Sequence, residues 1–227
     1  MHFGTKKGHH EYVMDGQKLA EVKTQKDLGV IIGDNLKVSD QCTQACNRAN
    51  RLLGLMRRTM SSRDPVIMTR LYKSLVRPHL EYCSVAWSPY YKKDKEQIER
   101  VQHRFTRLFA SLRQFDYPER LKRLNLWSLE ERRNRADLIE LFKMCHGLSA
   151  TKLNTFFTRV VDARTRGHTF KLKKNYCGTE ARYHFFSNRV VNRWNQLEPE
   201  DVEVTTVNTF KNHLLKIKNT LMDFFMD

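Results

Sequence analysis

The sequence predicts a mainly α-helical fold, with a small β hairpin at the N-terminus, a three-helix bundle after it and a second helical region at the C-terminus. Apolar residues recur at helical spacing over most of the 227-residue chain, and helix-capping motifs precede several of these stripes. Runs of β-branched residues with turn signals occur within the first 38 residues. We therefore divide the chain into residues 1–38, 39–115 and 116–227.

The first 38 residues are predicted to form short strands. Asp15-Gly16 lies between two short apolar runs, which is a strong signal for a tight hairpin turn. The segment "DLGVIIG" is β-branched in character and ends at Gly33, where another turn signal follows.

Residues 39–115 are predicted to form three helices. Ser39 or Asp40 is expected to cap the first of them. Asp64-Pro65 is expected to start the second, because proline is favoured at the first helical position, and Pro78 is expected to kink it. The segment "DKEQ" at 94–97 has the spacing of a capping box and is expected to start the third.

The region after residue 116 is also predicted to be mostly helical. A capping box at Ser128 and Glu131 predicts a helix that Gly147 is expected to end. Residues 151–180 carry no helical stripe, so a loop or short strand is expected there. An apolar stripe over 186–197 predicts a helix that ends at Pro199, and a stripe over 207–221 predicts the last helix.

The segment "LYKSLVRPHLEYCSVAWSPYY" places His79, Glu81 and Cys83 within five residues, which is suggestive of a metal or catalytic site. A zinc site needs a second, matching pair of ligands, and none is spaced for it. We therefore interpret these three residues as structural, with Cys83 in the packing, and predict no metal site. A Cys/His nucleophile stays open at this stage, because the fold can bring in a partner base.

Cys42 and Cys46 are four residues apart, which is also a possible ligand spacing. They lie on the apolar stripe of the first predicted helix, so we interpret them as packing residues. The five cysteines are an odd number and widely spread, and the first residues lack the apolar core of a signal peptide. We expect a nuclear or cytoplasmic protein that is not secreted and does not span a membrane.

The charge of the chain is strongly positive and uneven. Lys and Arg number 41 and Asp and Glu 25, which gives +16 and indicates a polyanionic partner: nucleic acid, or less often an anionic membrane. Residues 39–115 carry fifteen basic and six acidic groups, and residues 152–193 carry ten and two. Two basic blocks therefore supply the surplus.

Both blocks are candidate nucleic-acid-binding segments, because basic side chains hold phosphates and aromatic faces stack on bases. The alternative interpretations are an ordinary solvated helix face for the first block and a mobile loop for the second. The candidate residues are Arg48, Arg51, Arg57, Arg58, Arg100, Arg104 and Arg107 in the first block, and Arg164, Arg166, His168, Lys171, Lys173 and Lys174 in the second.

Seven segments follow one another in an order that resembles a known family. They are "KDLGVIIGDNL", "NRANRLLGLMRRTM", "LYKSLVRPHLEYCSVAWSP", "IERVQHRFTRLF", "YPERLKRLNLWSLEERRNRADLIELFK", "DARTRGHTFKL" and "FFSNRVVNRWNQL". Together they resemble the C-terminal part of the reverse transcriptase of jockey-like and chicken-repeat non-LTR (LINE-type) retrotransposons. The resemblance covers nearly the whole chain.

The resemblance implies a role for each part of the chain. Residues 1–38 resemble the end of the palm, with a primer-grip-like hairpin at Asp27, Leu28, Gly29 and Val30. Residues 39–115 resemble the helical thumb, which holds the template–primer duplex, and residues 116–227 resemble the segment after the thumb. The family has Leu-Pro where this chain has Leu197-Glu198-Pro199, so the packing of that end is expected to differ.

The parent activity implied by the resemblance is RNA-directed DNA polymerisation with two Mg²⁺ ions held by palm carboxylates, including an Asp-Asp pair. This sequence contains no Asp-Asp. We therefore expect a truncated copy or fragment that is inactive alone and takes no cofactor, the Mg²⁺ belonging to the full-length enzyme. Expected partners are RNA, an RNA–DNA hybrid or DNA, and the upstream palm and fingers.

Two other functions stay open. One is a stand-alone nucleic-acid-binding protein derived from such an element, with no polymerase role. The other is a product whose helices pack but bind polyanions through bulk charge alone.

Overall fold

The computed structural model describes residues 1–3, 10–160 and 167–226, and it is mainly α-helical, as predicted. Its chain forms two compact units, Met1–Cys83 with Trp87–Leu126 (unit 1), and Ser84–Ala86 with Trp127–Asp227 (unit 2). The strands are β1 Val13–Met14, β2 Gln17–Lys18, β3 Thr24–Asp27 and β4 Val30–Gly33. The α-helices are α1 Ser39–Thr59, α2 Pro65–Leu71, α3 Pro78–Glu81, α4 Ser84–Trp87, α5 Lys92–Thr106, α6 Tyr117–Arg123, α7 Leu129–Cys145, α8 Glu180–Tyr183, α9 Phe186–Arg189, α10 Val191–Asn195, α11 Pro199–Val202 and α12 Val207–Thr220.

The N-terminal strands pair as two antiparallel hairpins rather than one. In the first, Asp15 and Gly16 have φ values of 50° and 77°, which is the turn geometry that the Asp-Gly pair predicts. In the second, Asp27 pairs with Val30, and Leu28 and Gly29 form the turn with φ values of 42° and 88°. The predicted primer-grip-like tetrapeptide is therefore the tip of the β3–β4 hairpin.

Two side chains attach this second hairpin to the helices of unit 1. Gln41 of α1 accepts a hydrogen bond from the backbone N–H of Ile31 at 2.9 Å. Tyr82 donates its hydroxyl to the carbonyl of Leu28 at 2.9 Å, and its ring would lie 3.3 Å from a Cβ placed on Gly29. The tip is thereby fixed, while the Leu28 side chain remains exposed.

The predicted caps of α1 and α5 are wrong, for one shared reason. Val38 precedes α1 and Tyr91 precedes α5, and neither Ser39 nor Asp94 caps its own helix. Asp94 is buried in the first turn of α5 and accepts the hydroxyl of Ser39 at 2.7 Å. A buried carboxylate needs a donor, and a contact between two helices supplies it here in place of two local caps.

The second helix starts as predicted and is interrupted before Pro78. The Asp64 carboxylate accepts from the N–H groups of Val66 and Ile67, at 2.9 Å each. A π-helical turn over Tyr72–Val76 separates α2 from α3, and the N–H of Arg77 bonds to the carbonyl of Tyr72 at 2.9 Å. This wider turn makes room for the proline ring, which would clash with the carbonyl four residues before it.

The cysteines of unit 1 divide into packing and surface residues. Cys42 and Cys46 are buried on α1, which confirms the packing prediction for them. Cys83 is exposed, with a left-handed φ of 53°, so the prediction that it packs in the core is wrong. Its backbone makes the sharp turn between α3 and α4, and that turn directs the side chain to solvent.

Unit 2 is built around α7, and its predicted start and end are confirmed. Ser128 and Glu131 form a reciprocal capping box, and Gly147 ends the helix with a φ of 68°. Asp137 of α7 is buried and forms a two-point ion pair with Arg189, with distances of 2.7 and 2.9 Å. Because the pair is buried, replacing either residue alone would leave an unpaired buried charge and destabilise the fold.

The C-terminal stripe predicted over 186–197 is buried, but it belongs to two short helices, α9 and α10. Pro199 does not end a helix, because it is the first residue of α11, a position that proline favours. Between α7 and α8, an isolated bridge pairs Arg159 with Leu172, which agrees with the loop or short strand predicted there. None of the helices in the described part of the chain is long and apolar enough to cross a membrane.

Candidate nucleic-acid interface

The arginines of the first block meet in a groove between α1 and α5. The two helices run in the same direction, since Ser39 bonds to Asp94 near their starts and Asn50 accepts from Arg104 at 3.0 Å further along. Both helices therefore bring their C-terminal ends to one end of the groove. We call this the arginine end, and its cavity has a volume of about 520 Å³. It is lined by Asn50, Leu53, Gly54, Arg57, Arg63, Arg104, Arg107, Leu108 and Arg113.

The arginine end has five guanidinium groups, and among the described residues no acidic side chain lines it. Its floor is apolar, from Leu53 and Leu108. Gly54 adds no side chain, and a Cβ placed on it would meet only the tip of Arg58, at 3.9 Å. The result is an open, strongly cationic trough.

The five arginines divide into those that support the fold and those that face the groove freely. Arg63 donates to the carbonyl of Arg57 at 2.7 Å, and Arg113 donates to the carbonyl of Arg107 at 3.4 Å. These bonds satisfy carbonyls at the ends of α1 and α5, which are otherwise without partners. Arg104 joins the two helices through Asn50.

Arg57 and Arg107 are different, because their side chains make no hydrogen bond or ion pair within residues 1–3, 10–160 and 167–226. Both are exposed at the groove. The partial negative charge at helix C-termini offsets some of the repulsion among the five cations. The remaining positive field is available to an anion.

The other half of the groove, which we call the polar half, is less cationic. Its cavity has a volume of about 560 Å³. It is lined by Ser39, Thr43, Cys46, Asn47, Asn50, Lys93, Asp94, Gln97, Arg100 and Arg104. Hydroxyl and amide groups dominate, and they are able to contact phosphates or sugars without adding charge. Asn50 and Arg104 line both halves, so the groove is continuous along α1 and α5.

The structure therefore brings together only part of the predicted first block. Arg57, Arg104 and Arg107 line the arginine end, and Arg100 lines the polar half. The other predicted residues, Arg48, Arg51 and Arg58, are on α1 but line neither half.

Sequence reasoning missed Arg63 as a groove residue. The only available signal was a basic residue placed between the end of one helix and the Asp64 cap of the next.

His103, on α5, adds no charge to the groove at neutral pH. Burial lowers the pKa of His103, and the nearby cations of Arg120 and Arg107 lower it further. Its ring stacks on Tyr117, with centroids 3.5 Å apart. Burial together with the Glu99 carboxylate holds the pKa of the Tyr117 hydroxyl far above its usual range, so Tyr117 stays protonated and donates to Glu99. This contact fixes α6 against α5.

The second block lies in unit 2. Lys173 and Lys174 are exposed, whereas Lys171 is half-buried and its side chain lies across the backbone of Gly167. Arg164 and Arg166 lie outside the described residues.

His168 does not fit the nucleic-acid role predicted for it, because it is 3% exposed and both of its ring nitrogens are bonded. Nδ1 accepts from the N–H of Phe170 at 3.2 Å, and Nε2 donates to the carbonyl of Trp194 at 3.1 Å. Burial lowers the pKa of His168, with Lys171 adding to the effect, while the Trp194 carbonyl and two glutamates oppose it. A neutral, enclosed imidazole is a core residue.

Comparison of the chain with models of known protein families, with curated proteins and with solved structures gave no match. The groove must therefore be interpreted from its own chemistry.

Proposed function

We propose that this chain is the thumb and downstream region of a non-LTR retrotransposon reverse transcriptase, and that its α1–α5 groove holds the phosphate backbone of template–primer nucleic acid. The observation that carries the proposal is the arginine end, where five guanidinium groups meet without an acidic residue among the described side chains that line it. The ordered resemblance of seven segments supplies the parent enzyme.

A nucleic-acid backbone suits this groove for electrostatic reasons. Five like charges around one trough repel one another, and a polyanion removes that repulsion while its condensed counterions are released. Arg57 and Arg107 are placed to contact phosphates, and Asn50 and Gln97 to contact phosphate or sugar oxygens further along. Such contacts position a duplex without reading its sequence.

The β3–β4 hairpin has a matching role in this proposal. Its tip is held on the helices of the same unit by Tyr82, and its strand β4 is held by Gln41. We assign it the primer-grip-like function. Polymerisation itself is assigned to palm carboxylates of the parent enzyme, since the chain has no Asp-Asp pair to hold two metal ions.

The test is the affinity of the full chain for an RNA–DNA hybrid at several salt concentrations. The double substitution Arg57→Gln and Arg107→Gln should flatten the log–log salt slope by about two units, at roughly one unit for each phosphate that the variant no longer neutralises. The matched control is Arg70→Gln with Lys122→Gln, which removes equal charge from exposed positions of unit 1 that line neither half of the groove.

Equal flattening in both double variants would mean that binding reflects bulk charge, and the proposal would fail. Circular dichroism and thermal unfolding should show both variants folded, because the substituted side chains are exposed. The absent Asp-Asp pair also favours a second candidate, an element-derived binder with no polymerase role. An in-frame palm upstream in the gene would decide for the reverse transcriptase.

A further inference from the structure

Unit 2 exposes three aromatic side chains between Lys173 and Phe185, of which Phe185 also contacts Phe156 with ring centroids 6.1 Å apart. Tyr176 is 97% exposed, Tyr183 is 49% exposed and Phe185 is 37% exposed. Large aromatic surfaces in water are a cost unless a partner covers them, and grouped exposure of this kind marks binding surfaces.

Cations lie over two of these rings. The ammonium of Lys174 is 5.0 Å from the ring centroid of Tyr183, and the guanidinium of Arg182 is 5.3 Å from that of Phe185. The first contact also joins the segment after Leu172 to helix α8. From residue 167 to residue 197 the sequence has six basic residues and a single acidic one, Glu180.

This pairing of flat apolar faces with cations matches an unpaired nucleotide. A base in a single strand offers a π face for stacking, and its phosphate lies within reach of a neighbouring cation. A base in a duplex is already stacked and paired, so the same rings gain little from it. A membrane surface is a poorer match, because binding there needs a long amphipathic helix and α8 has four residues.

We propose that Tyr176, Tyr183 and Phe185 form a base-stacking surface for single-stranded nucleic acid, with Lys173, Lys174 and Arg182 contacting its phosphates. This inference rests on the proposed nucleic-acid function and adds a substrate class for unit 2. Two other rings near the second block are not part of the surface. His168 is buried, and Phe170 is half-buried with Arg159 over its ring at 4.9 Å.

The experiment measures the affinity of the full chain for a uridine oligomer of about 12 nucleotides, long enough for one single-strand site. Tyr176→Ala with Tyr183→Ala should weaken binding about tenfold or more, as removal of base stacking does, and should leave the salt slope unchanged. Lys173→Gln with Lys174→Gln should instead lower the slope by about 0.7 for each phosphate that is no longer neutralised. Tyr12→Ala is the control, because Tyr12 is an exposed aromatic residue of unit 1.

A second readout does not depend on removing side chains. The variant Tyr176→Trp places an indole at the proposed surface, and its signal is compared with that of the wild type, whose Trp87 and Trp194 are buried and whose Trp127 is half-buried. Its fluorescence should be quenched by the uridine oligomer and not by a blunt RNA–DNA hybrid. Unchanged fluorescence with bound oligomer would overturn the inference.

Unchanged oligomer affinity in the double tyrosine variant would overturn it equally, as would Tyr176-dependent binding to vesicles of anionic lipid. The two proposals fail separately. The groove variants are tested on affinity for the RNA–DNA hybrid, and an unchanged salt slope there would reject the groove proposal. A loss of oligomer affinity in the double tyrosine variant would still support the stacking surface.

Discussion

At the scale of single residues, His168 is held neutral by its position in unit 2. Its two nitrogens are bonded to backbone groups and its ring packs edge-on against Trp194, with centroids 5.6 Å apart. A proton added to Nδ1 would break the bond from the Phe170 N–H. The surrounding charges are Lys171, Glu203 and Glu198.

We predict that His168 makes stability fall as the pH drops below about 6.5, the ordinary histidine pKa. Below that pH, His168 binds a proton in the unfolded chain but not in the folded chain, because burial lowers the pKa of His168 in the folded state. The free energy of unfolding should fall by at most about 1.4 kcal/mol per pH unit from this one group.

Urea unfolding at several pH values between 7.5 and 5.5 measures this effect. His168→Gln keeps one donor and one acceptor without titrating, so its profile should be flatter than that of the wild type. Burial also lowers the pKa of His103 and His146, so some pH dependence should remain in the variant. His10→Gln is the control, at an exposed position. Parallel profiles for wild type and His168→Gln would contradict the prediction.

At the scale of elements, helix α1 has a glycine in its interior at the point where the groove is most cationic. Gly54 has no left-handed φ and no neighbour that requires its small size, since a Cβ would meet only Arg58 at 3.9 Å. Glycine in a helix interior is unfavourable by roughly 0.5–1 kcal/mol relative to alanine. Under the proposed function, a glycine here lets the backbone of the nucleic acid approach α1 closely.

We therefore predict opposite effects of Gly54→Ala on stability and binding. The free energy of unfolding should rise by about 0.5–1 kcal/mol. Affinity for the RNA–DNA hybrid should fall, because Gly54 lines the arginine end and a side chain there adds bulk beside the proposed ligand. Asn212→Ala is the control, since Asn212 is exposed inside α12 of unit 2, where alanine also raises helix propensity but lies away from the groove. A stabilised Gly54→Ala variant that binds like the wild type would show that no ligand approaches this turn.

At the scale of the whole molecule, the two basic blocks belong to different compact units. Each block has its own chemistry: a trough of guanidinium groups in unit 1, and cations beside exposed aromatic rings in unit 2. Under the two proposals, the first surface binds a duplex backbone and the second binds unpaired nucleotides.

Combining the two sets of charge removals should give additive effects. The variant with Arg57, Arg107, Lys173 and Lys174 all replaced by Gln should show the sum of the two slope changes on a template–primer with a single-stranded overhang. Independent sites usually add to within about 0.5 kcal/mol. Titrations at several salt concentrations provide the slopes. A combined effect no larger than that of one pair alone would indicate a single shared contact and contradict the two-surface interpretation.

The sequence by itself determined the features that local interactions decide. The Asp15-Gly16 turn, the Asp64 cap, the capping box at Ser128 and the helix end at Gly147 each depend on residues a few positions apart. Apolar periodicity likewise predicted the mainly α fold and the buried faces of Cys42 and Trp194, because a helix repeats its burial every 3.6 residues.

Only the tertiary structure decided which charged and polar residues act together. Ser39 meets Asp94 across 55 positions, and Asn50 meets Arg104 across 54. These contacts place α1 beside α5, so that Arg57 joins Arg107 while Arg48, Arg51 and Arg58 stay outside the groove. Packing within unit 2 likewise encloses His168 and leaves Tyr183 exposed. Helix periodicity fixes the face on which a side chain lies, but the partner of that face depends on contacts between residues far apart in the sequence.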